Sequence, residues 1–201
     1  MATVRPETPE DVKEIRRVNE LAFGRPAEAD LVEALRDSGK AMLSLVAIED
    51  NRVVGHILLS PVTIESGDLR SDNLAVRRGS ARPGVGRGTR HRQAGSLSDD
   101  ESFSAVGLGP MAVLPERQRS CIGSALVQTA LYWSCKTGHD CMVVLGHSKY
   151  YPRFGFVPAS RFGLRCEYDV PDEVFMAIEL RDGALKGYEG LVRYQPEFNE
   201  V

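Results

Sequence analysis

The 201-residue sequence has no long hydrophobic run, and this absence excludes one class of protein. A helix that crosses a bilayer needs about 18 to 20 consecutive apolar residues, and no segment of this chain is apolar over that length. The first residues are too polar for a secretory signal. We therefore expect a protein without a membrane partner and a cytoplasmic location.

Cysteine is scarce, and the few cysteines do not form a metal-binding pattern. The chain has four, at positions 121, 135, 141 and 166, and their spacing is not that of paired thiolate ligands. Most of them lie in apolar runs, as free thiols do in proteins of a reducing compartment. The sequence predicts reduced thiols and no metal site.

Neither sign of charge is in large excess. The 25 Lys and Arg residues nearly balance the 28 Asp and Glu residues, which gives a net charge of −3. Proteins that bind nucleic acid through their general surface are usually far more basic. The composition therefore argues against nucleic acid as a partner. With 42% hydrophobic residues, it predicts a single domain over residues 1–201 with a substantial core.

One segment departs from this composition. Residues 65–103 are rich in glycine, arginine and serine, with too few apolar residues to offset the entropy lost on ordering. Within it, residues 77–92 contain six arginines and no acidic residue. We expect a disordered insertion, and the alternative is a basic arm that contacts an acidic partner or nucleic acid.

Outside that segment, the apolar patterns predict a chain of mixed helices and strands. Apolar residues at helical spacing predict helices at 9–23, 27–37 and 122–136. Apolar, β-rich runs predict strands at 3–6, 41–48, 52–64, 104–114, 141–145, 155–157 and 174–180. Gly107, Gly109 and Pro110 interrupt the fourth strand, which predicts a bulge because proline cannot donate to a strand ladder. Residues 183–201 are predicted to be a tail.

Residues 111–124 are the most informative part of the chain. An apolar run ends at Pro115, a short polar loop follows, and Ile122 begins a helical pattern. A helix start presents unpaired backbone N–H groups and a partial positive charge, so it is suited to hold a phosphate. Arg117 and Arg119 in the loop can add charge-assisted hydrogen bonds. The segment predicts a site for a phosphorylated cofactor.

This loop resembles the acyl-CoA-binding segment of the GCN5-related N-acetyltransferase (GNAT) superfamily. The family pattern Arg/Gln-x-x-Gly-x-Gly/Ala corresponds to residues 118–123, with Cys121 where the family has a glycine. Farther along, Tyr151 is followed four residues later by Gly155 and Phe156, which resembles the family's tyrosine and Gly-Phe pair. The order of these motifs is more specific than either motif alone.

The resemblance covers most of residues 3–64 and 104–180 and is nearest to bacterial predicted acetyltransferases of unknown substrate. It implies an α/β fold with a central mixed, mostly antiparallel sheet, splayed between strands 4 and 5 and flanked by helices. It also implies an enzyme that moves an acetyl group from acetyl-CoA, its co-substrate, to a primary amine. The acceptor would be a small molecule or a peptide.

The resemblance also assigns candidate site residues. Tyr151 is the candidate acid for the departing thiolate, because a phenol keeps its proton at neutral pH. We expect its neighbour Tyr150 to point elsewhere. His147, at the end of the fifth strand, is a candidate base, although a histidine there is more often structural. The strand and loop residues that would hold acetyl-CoA are Met111, Ala112, Val113, Gln118, Arg119, Ser120, Cys121, Ile122, Gly123 and Ser124.

Cys121 leaves an alternative function open. If the backbone at this position has a positive φ, a Cβ adds strain there and can crowd a phosphate. The alternative is a degenerate member of the family that acts as a non-catalytic binding module. Nucleic-acid contact through the arginine-rich segment is a more distant alternative, and a homodimer through the C-terminal strands is a further expectation.

Overall fold

The structure, a computed structural model, describes residues 2–65 and 103–200. The predicted insertion at 65–103, with its arginine-rich part, lies outside the described residues except at its two ends. There, Glu65 is the last residue of a strand, and the ring of Phe103 stacks on that of Tyr188 with centroids 4.1 Å apart. Both end residues therefore belong to the folded domain.

The three α-helices lie where the apolar spacing predicts them. They are α1 (Val12–Phe23), α2 (Ala27–Asp37) and α3 (Ile122–Lys136). The predicted first helix begins with a 3₁₀ turn over Pro9–Asp11, which leads directly into α1. The buried face of α1 includes Ile15 and Val18, three residues apart on one side of the helix.

Nine strands form a single sheet in the described part of the chain. They are β1 (Thr3–Pro6), β2 (Leu43–Glu49), β3 (Arg52–Glu65), β4 (Ala105–Val113), β5 (Cys141–Leu145), β6 (Val157–Pro158), β7 (Leu164–Cys166), β8 (Phe175–Glu179) and β9 (Gly190–Arg193). The order is β1-β2-β3-β4-β5-β8-β6, and β9 pairs with the end of β3 and with β7.

Most neighbouring strands are antiparallel, and only the β4–β5 and β7–β9 pairs among those described are parallel. The predicted mixed, mostly antiparallel sheet is therefore confirmed. The prediction of a tail at 183–201 is wrong in part, because this segment contains β9. Only four residues long, β9 is too short to give a clear alternating pattern, and its place depends on pairing with residues far away in the chain.

A bulge in β4 separates this strand from β5. Ile57 pairs with Met111 and Leu59 with Leu108, so two steps along β3 correspond to three along β4. The extra residue lies at the Gly109–Pro110 step, where the sequence predicts an interruption. Parallel pairing of β4 with β5 ends at Leu108, while β4 continues to Val113. The two strands therefore part, and a cleft opens between them.

The core lies on both faces of the sheet. Successive residues of β5 belong to different hydrophobic clusters, Met142 and Val144 to the cluster beneath the helices and Val143 to the cluster beneath the C-terminal segment. All three are fully buried. A strand that is covered on both faces needs a continuous apolar run, which is what residues 141–145 supply.

A buried polar chain connects α1, β3, β2 and α2. The side-chain amide of Asn19 donates to Nδ1 of fully buried His56 (3.1 Å), so the neutral ring carries its proton on Nε2. Nε2 then donates to Oγ of Ser44 (2.9 Å), and the Ser44 hydroxyl donates to Glu7. Glu7 is paired with Arg36, with Nε to Oε1 at 2.9 Å. Burial lowers the pKa of His56 to about 4.

We predict that His56 makes the fold less stable in mild acid. Below pH 6.5 the unfolded chain takes up a proton at this residue, whereas the folded protein does not until about pH 4. Stability therefore falls as the pH decreases through this window. The expected loss is about 2 kcal/mol between pH 7 and pH 5, measured by urea denaturation.

Substitution of a second histidine, His139, is the control for this prediction. His56→Gln should remove most of the difference in unfolding free energy between the two pH values. His139→Gln should leave most of it, because His139 is only partly buried. The same pH dependence in wild type and His56→Gln would contradict the assignment.

Candidate active site

A cleft of about 710 Å³, here called the main cleft, opens where β4 and β5 part. Its walls are the end of β4, the loop that follows, the start of α3, the segment after β5 and the end of α1. The structure brings ten of the twelve predicted site residues to this cleft: Met111, Ala112, Val113, Gln118, Arg119, Cys121, Gly123, Ser124, His147 and Tyr151.

Two predicted residues, Ser120 and Ile122, do not line the main cleft. The side chain of Ile122 is 4% exposed and packs in the core, because the first turn of α3 directs it towards the sheet. The hydroxyl of Ser120 donates to the carbonyl oxygen of Arg117 within the loop. The side chains of these two residues are therefore directed away from the main cleft, and Ile122 can offer a cofactor only its backbone.

The first turn of α3 presents free backbone donors to the cleft. The first hydrogen bond of this turn runs from N of Ala125 to O of Cys121 (3.0 Å), and no side chain caps the helix. The N–H groups of Ile122, Gly123 and Ser124 consequently have no partner in the part of the chain that the structure describes. Unpaired donors at the positive end of a helix dipole suit a phosphate. The residues present therefore fit the phosphate groups of acetyl-CoA.

The two arginines of the loop differ in their contacts. Arg117 forms an ion pair with Glu49, whereas Arg119 has no ionic partner within the described ranges. Nε2 of Gln118 donates to the carbonyl oxygen of Val113 (3.2 Å), which ties the loop to β4. Arg119 is therefore the better candidate for a phosphate contact.

Cys121 lies in the left-handed region of backbone conformation, with φ of +66°. At a positive φ the Cβ of a residue other than glycine lies too close to the backbone. The resulting conformational strain costs about 1 kcal/mol or more. The thiol is exposed at the N-cap position of α3. The chain therefore keeps the backbone conformation of a glycine at this position while carrying a side chain.

Tyr151 lies at the start of a 3₁₀ turn after β5, with only 6% of its surface exposed. Its ring lies so close to Gly146 that any Cβ at that position would overlap it. Burial, and to a lesser extent neighbouring Tyr150, raises the pKa of Tyr151. Its hydroxyl consequently remains protonated through the physiological range, as an acid catalyst requires.

The side chain of Tyr150 points in a direction that the sequence did not predict. We expected it to point elsewhere, but it lines the same cleft as Tyr151. A Cβ at Gly123 would come within 2.6 Å of its hydroxyl oxygen, so this hydroxyl lies beside the first turn of α3. The guanidinium of Arg153 stacks on its ring, 3.9 Å from the centroid. Both tyrosines therefore line the main cleft, with ring centroids 5.1 Å apart.

His147 is exposed and lies just beyond β5, at the edge of the main cleft. Its carbonyl oxygen accepts a hydrogen bond from N of Tyr150 (2.8 Å), which fixes the turn that carries both tyrosines. His147 therefore lines the same cleft as Tyr151 and is accessible to solvent. This position suits a residue that passes a proton to water.

Solved structures resemble this fold and bind the expected cofactor. A structure of the GNAT family N-acetyltransferase YhbS from Escherichia coli in complex with CoA is 30% identical, with a TM-score of 0.77. The match covers 98% of this chain and 92% of that one. The chain belongs to the GNAT family. The predicted fold class, with its sheet splayed between β4 and β5, is thereby confirmed.

Other comparisons agree with this membership of the GNAT family. A GNAT family acetyltransferase from Brucella melitensis in complex with acetyl-CoA is 30% identical, with a TM-score of 0.67 and 98% coverage of both chains. The uncharacterized N-acetyltransferase YjhQ of Escherichia coli is 32% identical over 166 residues, which cover 81% of this chain and 74% of YjhQ. No family model matches the chain.

Two other kinds of site have no candidate among the described residues. No group of three or more histidine, cysteine, aspartate or glutamate side chains there has a geometry that would hold a metal ion. No helix in that part of the GNAT domain is long and apolar enough to cross a membrane.

We predict that Cys121→Gly stabilises the protein and tightens its binding of acetyl-CoA. Glycine removes the cost of a Cβ at positive φ but increases the entropy of the unfolded chain, so the net gain is about 0.5 to 1 kcal/mol. Urea denaturation and calorimetric titration measure the two effects. Cys121→Ala is the matched control, since it removes the thiol and keeps the Cβ. Equal stability in the glycine and alanine variants would contradict the steric explanation.

Proposed function

We propose that this GNAT protein is an acetyl-CoA-dependent N-acetyltransferase that acts on a primary amine of a small molecule or peptide. One observation carries the proposal: the uncapped start of α3 and the buried, protonated Tyr151 line the same cleft. The complexes of the YhbS and Brucella melitensis proteins with CoA and acetyl-CoA support the identity of the donor.

Binding of the donor would use the two walls of the main cleft. The amides of the first turn of α3 and the free charge of Arg119 would hold the phosphates. Beyond Leu108 the edge of β4 no longer pairs with β5, so its backbone groups are available to an extended ligand. A ligand with amide groups can pair with such an edge as an added strand does. Residues Met111 to Val113 form that edge.

The residues around the parting of the strands would supply the catalytic groups. Acetyl-CoA, when bound, provides the acetyl group as a thioester. A backbone amide within residues 111–113 would stabilise the oxyanion, and one such donor is worth about 3 kcal/mol. Tyr151 would donate its hydroxyl proton to the departing thiolate, and His147 would pass the proton released by the amine to water. A proton from water would then restore the Tyr151 hydroxyl.

Binding of acetyl-CoA is the first test of this proposal. Calorimetric titration should give a dissociation constant in the micromolar range, with much weaker binding of ATP. Arg119→Gln should weaken binding by roughly tenfold, since a charge-assisted hydrogen bond to phosphate is lost. Arg117→Gln is the matched control and should weaken it less, because Arg117 is paired with Glu49. A folded protein that does not bind acetyl-CoA would instead be a non-catalytic module.

We predict that Tyr151→Phe lowers turnover by roughly 100-fold, the usual contribution of a general acid. Affinity for acetyl-CoA should change little, because the ring and its packing remain. Turnover is measured by the release of free CoA thiol. Tyr132→Phe, on the exposed face of α3, is the control and should behave as wild type. Unchanged turnover in Tyr151→Phe would assign the acid to another group.

A further inference from the structure

A second cavity of about 530 Å³, here called the side cavity, adjoins the main cleft. The two share Phe23, Met111, His147 and Tyr151. The other walls of the side cavity come from α2, the bulge of β4, the segment after β5 and the C-terminal residues. A molecule in the side cavity would consequently reach the same tyrosine as a donor in the main cleft. Its volume is that of a typical small-molecule site.

The walls of the side cavity carry little unpaired charge. Glu28 is the one carboxylate among the described residues that line it, and both of its oxygens accept hydrogen bonds from Nε of Arg25 (3.1 Å each). Much of the remaining wall is apolar or aromatic: Phe23, Leu31, Leu108, Pro110, Leu145 and Phe198. A buried ammonium group would find no free anion on these walls, and burial of an unpaired charge is costly.

Tyr194 lines the side cavity and carries a buried hydroxyl group without a partner among the described residues. Tyr194 is 8% exposed, and its hydroxyl oxygen has no hydrogen bond to any residue that the structure describes. Burial above all raises the pKa of Tyr194, so the group is a neutral hydroxyl. Buried polar groups are nearly always hydrogen-bonded in folded proteins. A polar atom of a ligand in the side cavity would supply the missing bond.

We propose that the acceptor is a primary monoamine on an apolar, ring-bearing body, with one polar group that hydrogen-bonds to Tyr194. This inference rests on the proposed acetyl transfer and adds the chemical class of the acceptor. The apolar walls favour the ring, and the paired state of Glu28 disfavours a second positive charge. Polyamines and aminoglycosides are consequently poor acceptors.

The same environment explains how the amine is prepared for attack. A weakly charged cavity disfavours the ammonium form and lowers the pKa of a bound amine. The amine nitrogen therefore reaches the thioester with its lone pair free. Its proton leaves through solvent at exposed His147 and not to a buried carboxylate, which the described walls provide only as paired Glu28.

The test compares four acceptors at a fixed, saturating concentration of acetyl-CoA, with release of CoA thiol as the readout. The monoamines are 2-phenylethylamine and tyramine, and the polycations are spermidine and kanamycin. We expect kcat/KM at least 100-fold higher for the monoamines, since each extra buried ammonium costs several kcal/mol. Tyramine carries the additional hydroxyl group and should be the better of the two.

Two variants test the walls of the side cavity. Tyr194→Phe should lower kcat/KM for tyramine by roughly tenfold and leave 2-phenylethylamine nearly unchanged, because one hydrogen bond is lost. Phe198→Ala should raise KM for both monoamines. Phe162→Ala is the matched control, since Phe162 is also partly buried but lines neither cavity. Affinity for acetyl-CoA, measured in the same samples, should be the same in all three variants.

The outcomes separate this inference from the proposed function. Spermidine or kanamycin acetylated as well as the monoamines would overturn the acceptor class and leave acetyl transfer intact. An equal loss for tyramine and 2-phenylethylamine in Tyr194→Phe would overturn the hydrogen bond. Transfer to none of the four amines by protein that still binds acetyl-CoA would overturn the acceptor class, whereas a folded protein that does not bind acetyl-CoA would overturn the proposed function.

Discussion

The site depends on one extra residue in β4. Between Leu108 and Met111 the strand contains one residue more than β3 opposite it, and its pairing with β5 ends there. An unbroken β4–β5 ladder would fill the main cleft with backbone hydrogen bonds and leave no edge for a ligand. Because β3 stays paired to both ends of β4, the sheet tolerates this defect, and the buried run of β5 keeps the other strand in place.

Local patterns in the sequence were sufficient to predict much of this domain. Helical spacing predicted α1, α2 and α3, and Pro110 predicted the bulge, because each signal arises within a few residues. What the sequence could not predict depends on distant packing. β9 exists through its pairing with β3 and β7, and the orientation of Tyr150 follows from the turn that fixes it beside Gly123. Likewise, the Ile122 side chain packs in the core because of how the first turn of α3 meets the sheet.

Specific ion pairs neutralise some of the charged side chains around the two cavities and leave others free. Glu49 neutralises Arg117 and leaves Arg119 available, although the two arginines are equivalent in the sequence pattern. Similarly, Arg25 neutralises Glu28 at the edge of the side cavity. Pairing therefore decides which charges a ligand encounters, and it leaves a free cation in the main cleft and a nearly neutral wall in the side cavity. The strained backbone at Cys121 lies in the main cleft.

The two cavities share four residues but differ in the rest of their walls. The wall proposed to hold phosphate is a continuous segment that ends β4 and begins α3, whereas Tyr194 and Phe198, which line only the side cavity, follow β9 near the end of the sequence. Substitutions after β9 can therefore reshape the side cavity while the first turn of α3 keeps its geometry. If the two proposals hold, the choice of acceptor in this protein can change through its last residues without a change of donor.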